Sequence, residues 1–186
     1  MGIFKYKQIN AALKHQITNL SSEGFKQIFD RIDQFSIKKG VDKMGLDKYI
    51  EQCAVVAATF GVISGSGGMF TMIIGVPLDV VNLITQQFRV TMAIMYHNKG
   101  SYNFGFEEFM TMIATSLKVE AGVALTKTVM ENVAEKLLLM LGTRTAERLV
   151  PIVGGVIGGA TNYLFIKRVA ARVKELEADQ KQIIAI

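Results

Sequence analysis

The sequence has a single cysteine and two histidines, and these low counts exclude several kinds of site. Cys53 has no second cysteine to pair with, so an internal disulfide is excluded and a reducing, cytoplasmic compartment is expected. His15 and His97 lie far apart, without carboxylates at the spacing of a metal site or a catalytic triad. We therefore predict no catalytic residue, no metal and no cofactor.

Charged residues are sparse in two long stretches. None occurs from Cys53 to Leu78, and none occurs from Ile152 to Ile166. The first stretch exceeds the roughly 20 apolar residues that cross a bilayer, which raises the question of a membrane span. The glycine- and serine-rich cluster at residues 64–68 divides this stretch, and each half is then too short to cross.

The helix expected from Pro77 to His97 is long enough to cross a bilayer, but its charges argue against this. Asp79 or Arg89 deep in a bilayer would cost about 2.5–3.5 kcal/mol each. Each Leu, Ile, Phe or Val returns only about 0.3–0.6 kcal/mol. We therefore predict a hairpin of two helices in a soluble core. One alternative is a pore-forming protein, in which the hairpin opens into a bilayer.

Apolar residues recur with helical spacing along the chain, and no segment is typical of a strand. The set Phe25, Ile28, Phe29, Ile32 and Phe35 predicts a helix with one apolar face, which Gly40 ends. Further helices are predicted from near Leu46, from Pro77, after Glu107, over residues 119–141 and from Pro151. The predicted fold is all-α: a compact multi-helix bundle with glycine-rich apolar helical hairpins in its core.

The chain of 186 residues fits one domain with additions at its two ends. Residues 1–40 are predicted to be amphipathic helices that pack on the core, and residues 41–174 form the main helical domain. The last helix is uncharged as far as Ile166 and strongly charged beyond it. Its end, residues 175–186, is therefore predicted to run over the surface or toward a protein partner.

The net charge is +5, and much of the basic excess lies in the first 43 residues and in residues 167–174. Nucleic acid is excluded as a partner, because central basic residues are sparse and no base-stacking motif is present. Scattered lysines beside apolar helix faces suit an anionic lipid surface. A solvated surface with a mild charge excess is the alternative.

Four polar residues in apolar helices are candidates for a polar core or a ligand site: Asp79, Gln86, Arg89 and Asn162. Asp79 is placed in the first turn of its helix, where the helix dipole favours an anion. A buried arginine needs a partner, so a salt bridge within the bundle is predicted for Arg89. Asn162 is expected to bond the backbone of a neighbouring helix. A polar spot for a ligand head group is the functional alternative.

Glycines form two groups. Gly61, Gly65, Gly67 and Gly68 are predicted to form a turn between two helices, because no Gly-Lys-Ser/Thr follows them as in a nucleotide-binding loop. Gly154, Gly155, Gly158 and Gly159 leave a smooth helix face that another backbone can approach closely, either in a membrane or in a soluble bundle.

Several of these features occur together in a known family. The chain has a glycine-rich turn at residues 61–68, a Pro-x-Asp helix start at residues 77–79 and an Ala-x-x-Tyr helix end at residues 93–96. A closing segment has Val-Pro-Ile-Val-Gly at residues 150–154, followed by Gly158, Asn162 and Lys167-Arg168. Residues 41–174 thereby resemble the EcsC family. His97 departs from the family, which often has glycine after the tyrosine.

The resemblance implies a bacterial, helical, apolar protein that associates with a membrane and has no secure enzymatic activity. We accordingly expect a non-enzymatic binding module that associates with lipid, located in the cytoplasm or on the inner face of the membrane. A protein-interaction subunit that uses the C-terminal helix is the second hypothesis. An enzyme built around Asp79 is the third.

Overall fold

Helices make up almost all of the chain that the computed structural model describes, which is residues 14–59, 76, 78–119, 125–142 and 155–184. Helical residues 14–19 lead into a π-helical turn at Leu20–Gly24. Seven α-helices follow: α1 (Phe25–Arg31), α2 (Gln34–Met44), α3 (Leu46–Thr59), α4 (Leu78–Lys99), α5 (Phe106–Ser116), α6 (Lys127–Gly142) and α7 (Gly155–Ile184). These eight elements form a compact bundle without strands among the described residues, as the sequence predicts.

The centre of the bundle is built from α3, α4 and α7, which pack against one another. Helix α3 runs antiparallel to α7, because Asp47 contacts Lys174 near one end and Ala57 contacts Asn162 near the other. Helix α4 is also antiparallel to α3, since its last turn lies beside the first turn of α3. The start of α4, the end of α3 and the start of α7 therefore share one end of the bundle.

Aromatic rings fill the core where α1 and α5 meet the central helix α4. The Phe88 ring lies 4.8 Å from the Phe109 ring and 6.0 Å from the Phe25 ring, measured between centroids. Phe29 lies 5.3 Å from Phe109 and extends the cluster toward α5. Burial of these rings and the aliphatic residues around them is the main driving force for bringing the helices together.

The helix predicted to span Phe25 to Gly40 is broken at Ile32 and Asp33. Asp33 has an extended backbone, and its carboxylate accepts hydrogen bonds from the amides of Phe35 and Ser36, so it caps the start of α2. Because of this break, Phe35 is not on the same helix face as the buried residues of α1, and its side chain is 46% exposed. The prediction of one continuous apolar face is therefore wrong beyond Ile32.

Gly40 does not end α2, which continues to Met44 and stops at Gly45, where φ is +83°. Gly40 instead allows a close approach inside the bundle. A Cβ atom at this position would lie only 2.6 Å from Cε2 of Tyr49, so the absent side chain leaves room for that ring. The expected helix end at Gly40 was a wrong assignment, because the glycine serves packing rather than termination.

Helix α7 remains packed on the bundle well into its charged half. Val173 is fully buried, and Glu177 is 3% exposed. A protein partner is predicted for residues 175–186, and the start of this segment therefore still faces the bundle. Among the described residues, no helix is both long enough and apolar enough to cross a membrane.

Candidate functional site

Helix α4 carries a line of buried polar side chains through the middle of the bundle. Asn82, Gln86, Gln87 and Thr91 are each at most 3% exposed. The amide nitrogen of Gln86 donates to Asn82 Oδ1 at 3.2 Å, and the Thr91 hydroxyl donates to the backbone oxygen of Gln87 at 3.0 Å. Buried polar groups normally have such partners, because an unpaired group forfeits its hydrogen bonds to water.

The side-chain amide of Gln87 is the exception in this line. Gln87 is 0% exposed, and neither its amide nitrogen nor its amide oxygen has a hydrogen-bond partner among the described residues. Each unpaired group carries a desolvation cost of about 1–3 kcal/mol. Gln86, its neighbour in sequence, is also buried but has a partner, so the two glutamines differ in environment and not in burial.

Arg89 is held by a phenol rather than by a carboxylate. Its Nε and Nη2 atoms both donate to the Tyr49 hydroxyl, at 3.2 Å and 3.0 Å. Burial raises the pKa of Tyr49 to about 12, although the guanidinium opposes this shift. The phenol therefore stays protonated at neutral pH. The salt bridge that we predicted for Arg89 is not found among the described residues.

Cys53 lies beside the Arg89–Tyr49 pair and is also buried. Burial raises the pKa of its thiol to about 11, despite the neighbouring guanidinium. A thiol with this pKa is protonated at neutral pH and is a poor nucleophile. Among the described residues, no group of three or more His, Cys, Asp or Glu side chains could hold a metal ion.

The predicted polar residues do not converge on a single site. Gln86 pairs within α4, Arg89 pairs with α3, and Asn162 Nδ2 donates to the Ala57 backbone oxygen at 3.1 Å. The last contact confirms that Asn162 bonds the backbone of a neighbouring helix. Asp79 lies in the first turn of α4, as predicted, but its side chain falls outside the described residues.

One glycine of the predicted smooth face brings α7 against α3. A Cβ atom at Gly159 would lie 2.9 Å from the Ala58 backbone oxygen, so the two helices cross closely here. Gly155 and Gly158 lie in the first turns of the same helix. The other predicted glycines, namely Gly61, Gly65, Gly67, Gly68 and Gly154, lie outside the described residues, as do the turns of the predicted glycine-rich hairpins.

In the described part of the chain, the end of the bundle at which α3 finishes and α4 and α7 begin is almost free of charge. We call it the uncharged end, and it comprises residues 52–59, 78–88 and 155–166. Asp79 is the one charged residue in these ranges. Large apolar side chains are nevertheless exposed here: Leu164 at 47%, Val55 at 46%, Leu78 at 42% and Val56 at 37%. In the sequence, residues 60–75, which join α3 to α4, are also without charge, whereas residues 143–154, which precede α7, contain Arg144, Glu147 and Arg148.

Ionic and polar contacts begin at the border of the uncharged end. The Glu51 carboxylate accepts hydrogen bonds from the Tyr163 hydroxyl at 2.7 Å and from Lys167 Nζ at 3.1 Å. One further ion pair, Lys174 with Asp47, joins the same two helices farther along. The surface of the α3–α7 pair therefore changes from apolar to charged along its length, over about one helical turn.

A groove of about 600 Å³ lies at the opposite, charged end, where α4 finishes and α3 begins. It is open to solvent, and its charged lining residues include Asp47, Lys48 and Lys174. Asp47 and Lys174 are already paired with each other at 2.6 Å. Two of these three charged side chains therefore already neutralise each other.

Sequence reasoning missed the exposed aromatic pair formed by Phe35 and Tyr102. Their ring centroids are 5.8 Å apart. Asp33 was the signal that could have predicted the position of Phe35. An aspartate with Ser36 three residues later resembles a helix N-cap, which starts a new helix just before Phe35.

No family model, curated protein or solved structure matches this chain.

Proposed function

We propose that this protein is a non-enzymatic helical module that binds a membrane surface through its uncharged end. The observation that carries the proposal is the coincidence of four exposed large apolar side chains with three helix segments that have almost no charge. Exposed apolar residues scattered singly are ordinary. Their concentration in segments of low charge at one end is typical of a surface that contacts lipid or another protein.

The energy available from this end suits reversible association. Burial of a Val or Leu side chain is worth about 1.5–3 kcal/mol when it is complete. Val55, Val56, Leu78 and Leu164 are 37–47% exposed, so each can contribute about 1 kcal/mol on entering the lipid interface. The total of about 4 kcal/mol is far below that of a transmembrane helix and supports peripheral binding.

Basic residues follow the uncharged end at the depth that lipid head groups would occupy. Lys167 and Arg168 lie one helical turn beyond Leu164, and both are exposed. A lysine or arginine near an anionic surface contributes about 1 kcal/mol. The Tyr163 hydroxyl lies at the same level, where tyrosine is favoured at a membrane interface. These residues support a preference for anionic lipid.

The resemblance of residues 41–174 to the EcsC family belongs to the same proposal. A bacterial, apolar, membrane-associated family is compatible with a bundle that has one uncharged end.

Flotation with vesicles that contain anionic lipid tests the proposal. The parent protein is compared with variants that carry a charge at the uncharged end. We expect Leu164→Glu and Val56→Glu each to lower the partition coefficient at least about tenfold, because each loses an apolar contact and adds a carboxylate to the interface. Both positions are exposed, so the fold is expected to tolerate the change.

Ala178→Glu is the matched control for Leu164→Glu. It makes the same change in charge at an exposed position of α7, about 21 Å farther along the helix axis. Its flotation should equal that of the parent protein. If all three variants float equally well, or if the parent protein does not float, the uncharged end is not a membrane-binding surface.

A further inference from the structure

The exposed aromatic pair stands on a surface that the proposed membrane contact does not use. Phe35 is 46% exposed and Tyr102 is 38% exposed, and their rings contact each other across the gap between α2 and the loop after α4. This loop follows the C-terminal end of α4, whereas the uncharged end contains its N-terminal end. The pair is therefore at the other end of the bundle.

The backbone on both sides of the aromatic pair is fixed by hydrogen bonds. The Gln34 side chain accepts from the Phe104 amide at 2.9 Å and donates to the Phe104 carbonyl at 3.2 Å, which ties α2 to the loop. Asp33 caps α2 immediately before Phe35. The two rings are therefore held in place before any partner arrives, and a surface prepared in this way loses less entropy on binding.

Cations extend from the aromatic pair along α2. Phe35, Lys39 and Lys43 are all exposed and follow one another four residues apart, so they form one stripe on the helix. The Lys39 ammonium lies 4.5 Å from the centre of the Phe35 ring. Lys38 is paired with Asp42, whereas Lys39 and Lys43 form no ion pair with the described residues.

We propose that these four residues, Phe35, Lys39, Lys43 and Tyr102, form a docking surface for an acidic segment of a partner protein. We call this surface the α2 patch. An apolar side chain of the partner contacts Phe35 and Tyr102, and carboxylates of the partner pair with Lys39 and Lys43. Aromatic anchors flanked by charges are typical of protein-binding surfaces.

Two observations favour a protein over a lipid surface as the occupant. Asp33 lies immediately before the stripe and is exposed, and a uniformly anionic bilayer would repel its carboxylate. A partner with a defined sequence can instead place its own carboxylates only opposite Lys39 and Lys43. The position of the α2 patch, away from the uncharged end, also leaves it free when that end is on a membrane.

The test uses the full chain and a short fluorescein-labelled peptide of glutamates with a central pair of leucines. Fluorescence anisotropy should show binding, and a peptide with lysine in place of every glutamate should not bind. Phe35→Ser and Lys39→Gln should each weaken binding at least about tenfold, because each removes a central contact of the α2 patch. Lys127→Gln is the matched control for Lys39→Gln and should leave binding unchanged, because Lys127 is exposed and lies outside both proposed surfaces.

Every other outcome overturns the proposal. Failure of the acidic peptide to bind, or equal binding by Phe35→Ser and Lys39→Gln, would remove the α2 patch as its site. If these two variants instead reduce flotation on anionic vesicles, the occupant is a lipid surface. If Phe35→Ser converts a dimer into a monomer in light scattering, the occupant is a second copy of this chain. None of these results depends on the behaviour of Leu164→Glu.

Discussion

Replacement of Phe88 by alanine is expected to lower the free energy of unfolding by about 3–5 kcal/mol. Phe88 is 0% exposed and lies in the central helix, where its ring contacts those of Phe25 and Phe109. Its removal leaves a cavity between α1, α4 and α5 and breaks two aromatic pairs at once. Urea denaturation followed by circular dichroism measures the change.

Phe35→Ala is the matched control for this prediction. It removes the same ring from a position that is 46% exposed, so we expect a change within about 0.5 kcal/mol. A similar loss of stability in both variants would show that the α1–α4–α5 cluster is not the centre of the core.

Replacement of Gln87 by methionine is expected to raise the free energy of unfolding by about 1–3 kcal/mol. Methionine has nearly the shape of glutamine, and it removes two buried polar groups that have no partner. The same change at Gln86 should have the opposite sign, because it leaves the Asn82 side-chain oxygen without the donor that it has at 3.2 Å. Thermal and urea unfolding of the two variants measure both effects.

Gln86 and Gln87 are adjacent in sequence, yet methionine is expected to have opposite effects on stability at the two positions. Gln86 and Gln87 are both at most 3% exposed, so burial alone predicts the same sign for the two substitutions. If Gln87→Met destabilises the protein as much as Gln86→Met does, the Gln87 amide has a partner in solution. A stabilising change would instead show that the parent protein retains an unpaired amide in its core, as proteins do at some functional positions.

Several helix starts were predictable because apolar periodicity is local, but α6 begins at Lys127 and not at the predicted residue 119. The start of α3 at Leu46, the start of α4 close to Pro77 and the helix after Glu107 follow directly from the pattern of apolar residues and helix-start signals. The break at Asp33 was missed because the apolar spacing continues through Ile32 to Phe35. An N-cap that breaks the helical backbone but leaves the spacing of apolar residues unchanged is difficult to recognise from that spacing.

Contacts between distant residues were predictable only in part. Asn162 was expected to bond a neighbouring helix, since an amide in an apolar helix needs a partner, but the Ala57 carbonyl could not be named. Arg89 was expected to meet a carboxylate and instead meets Tyr49, which is 40 residues away. The difference between Gln86 and Gln87 likewise depends on packing that periodicity does not encode.

The two proposed surfaces lie at opposite ends of the bundle. Binding of the uncharged end to lipid would leave the α2 patch facing away from the bilayer, because α4 runs from one surface toward the other. In this arrangement the protein would hold an acidic partner at a membrane. Each surface is defined by its own residues, so Leu164→Glu and Phe35→Ser would separate the two activities.

The orientation of the bundle on a membrane can be measured with one fluorophore, because the chain contains no tryptophan. Leu164→Trp and Ala178→Trp place a single tryptophan at the uncharged end and near the other end of α7. Vesicles of anionic lipid with brominated acyl chains should quench the tryptophan at position 164 strongly and the one at position 178 little. Equal quenching, or stronger quenching at position 178, would contradict docking through the uncharged end.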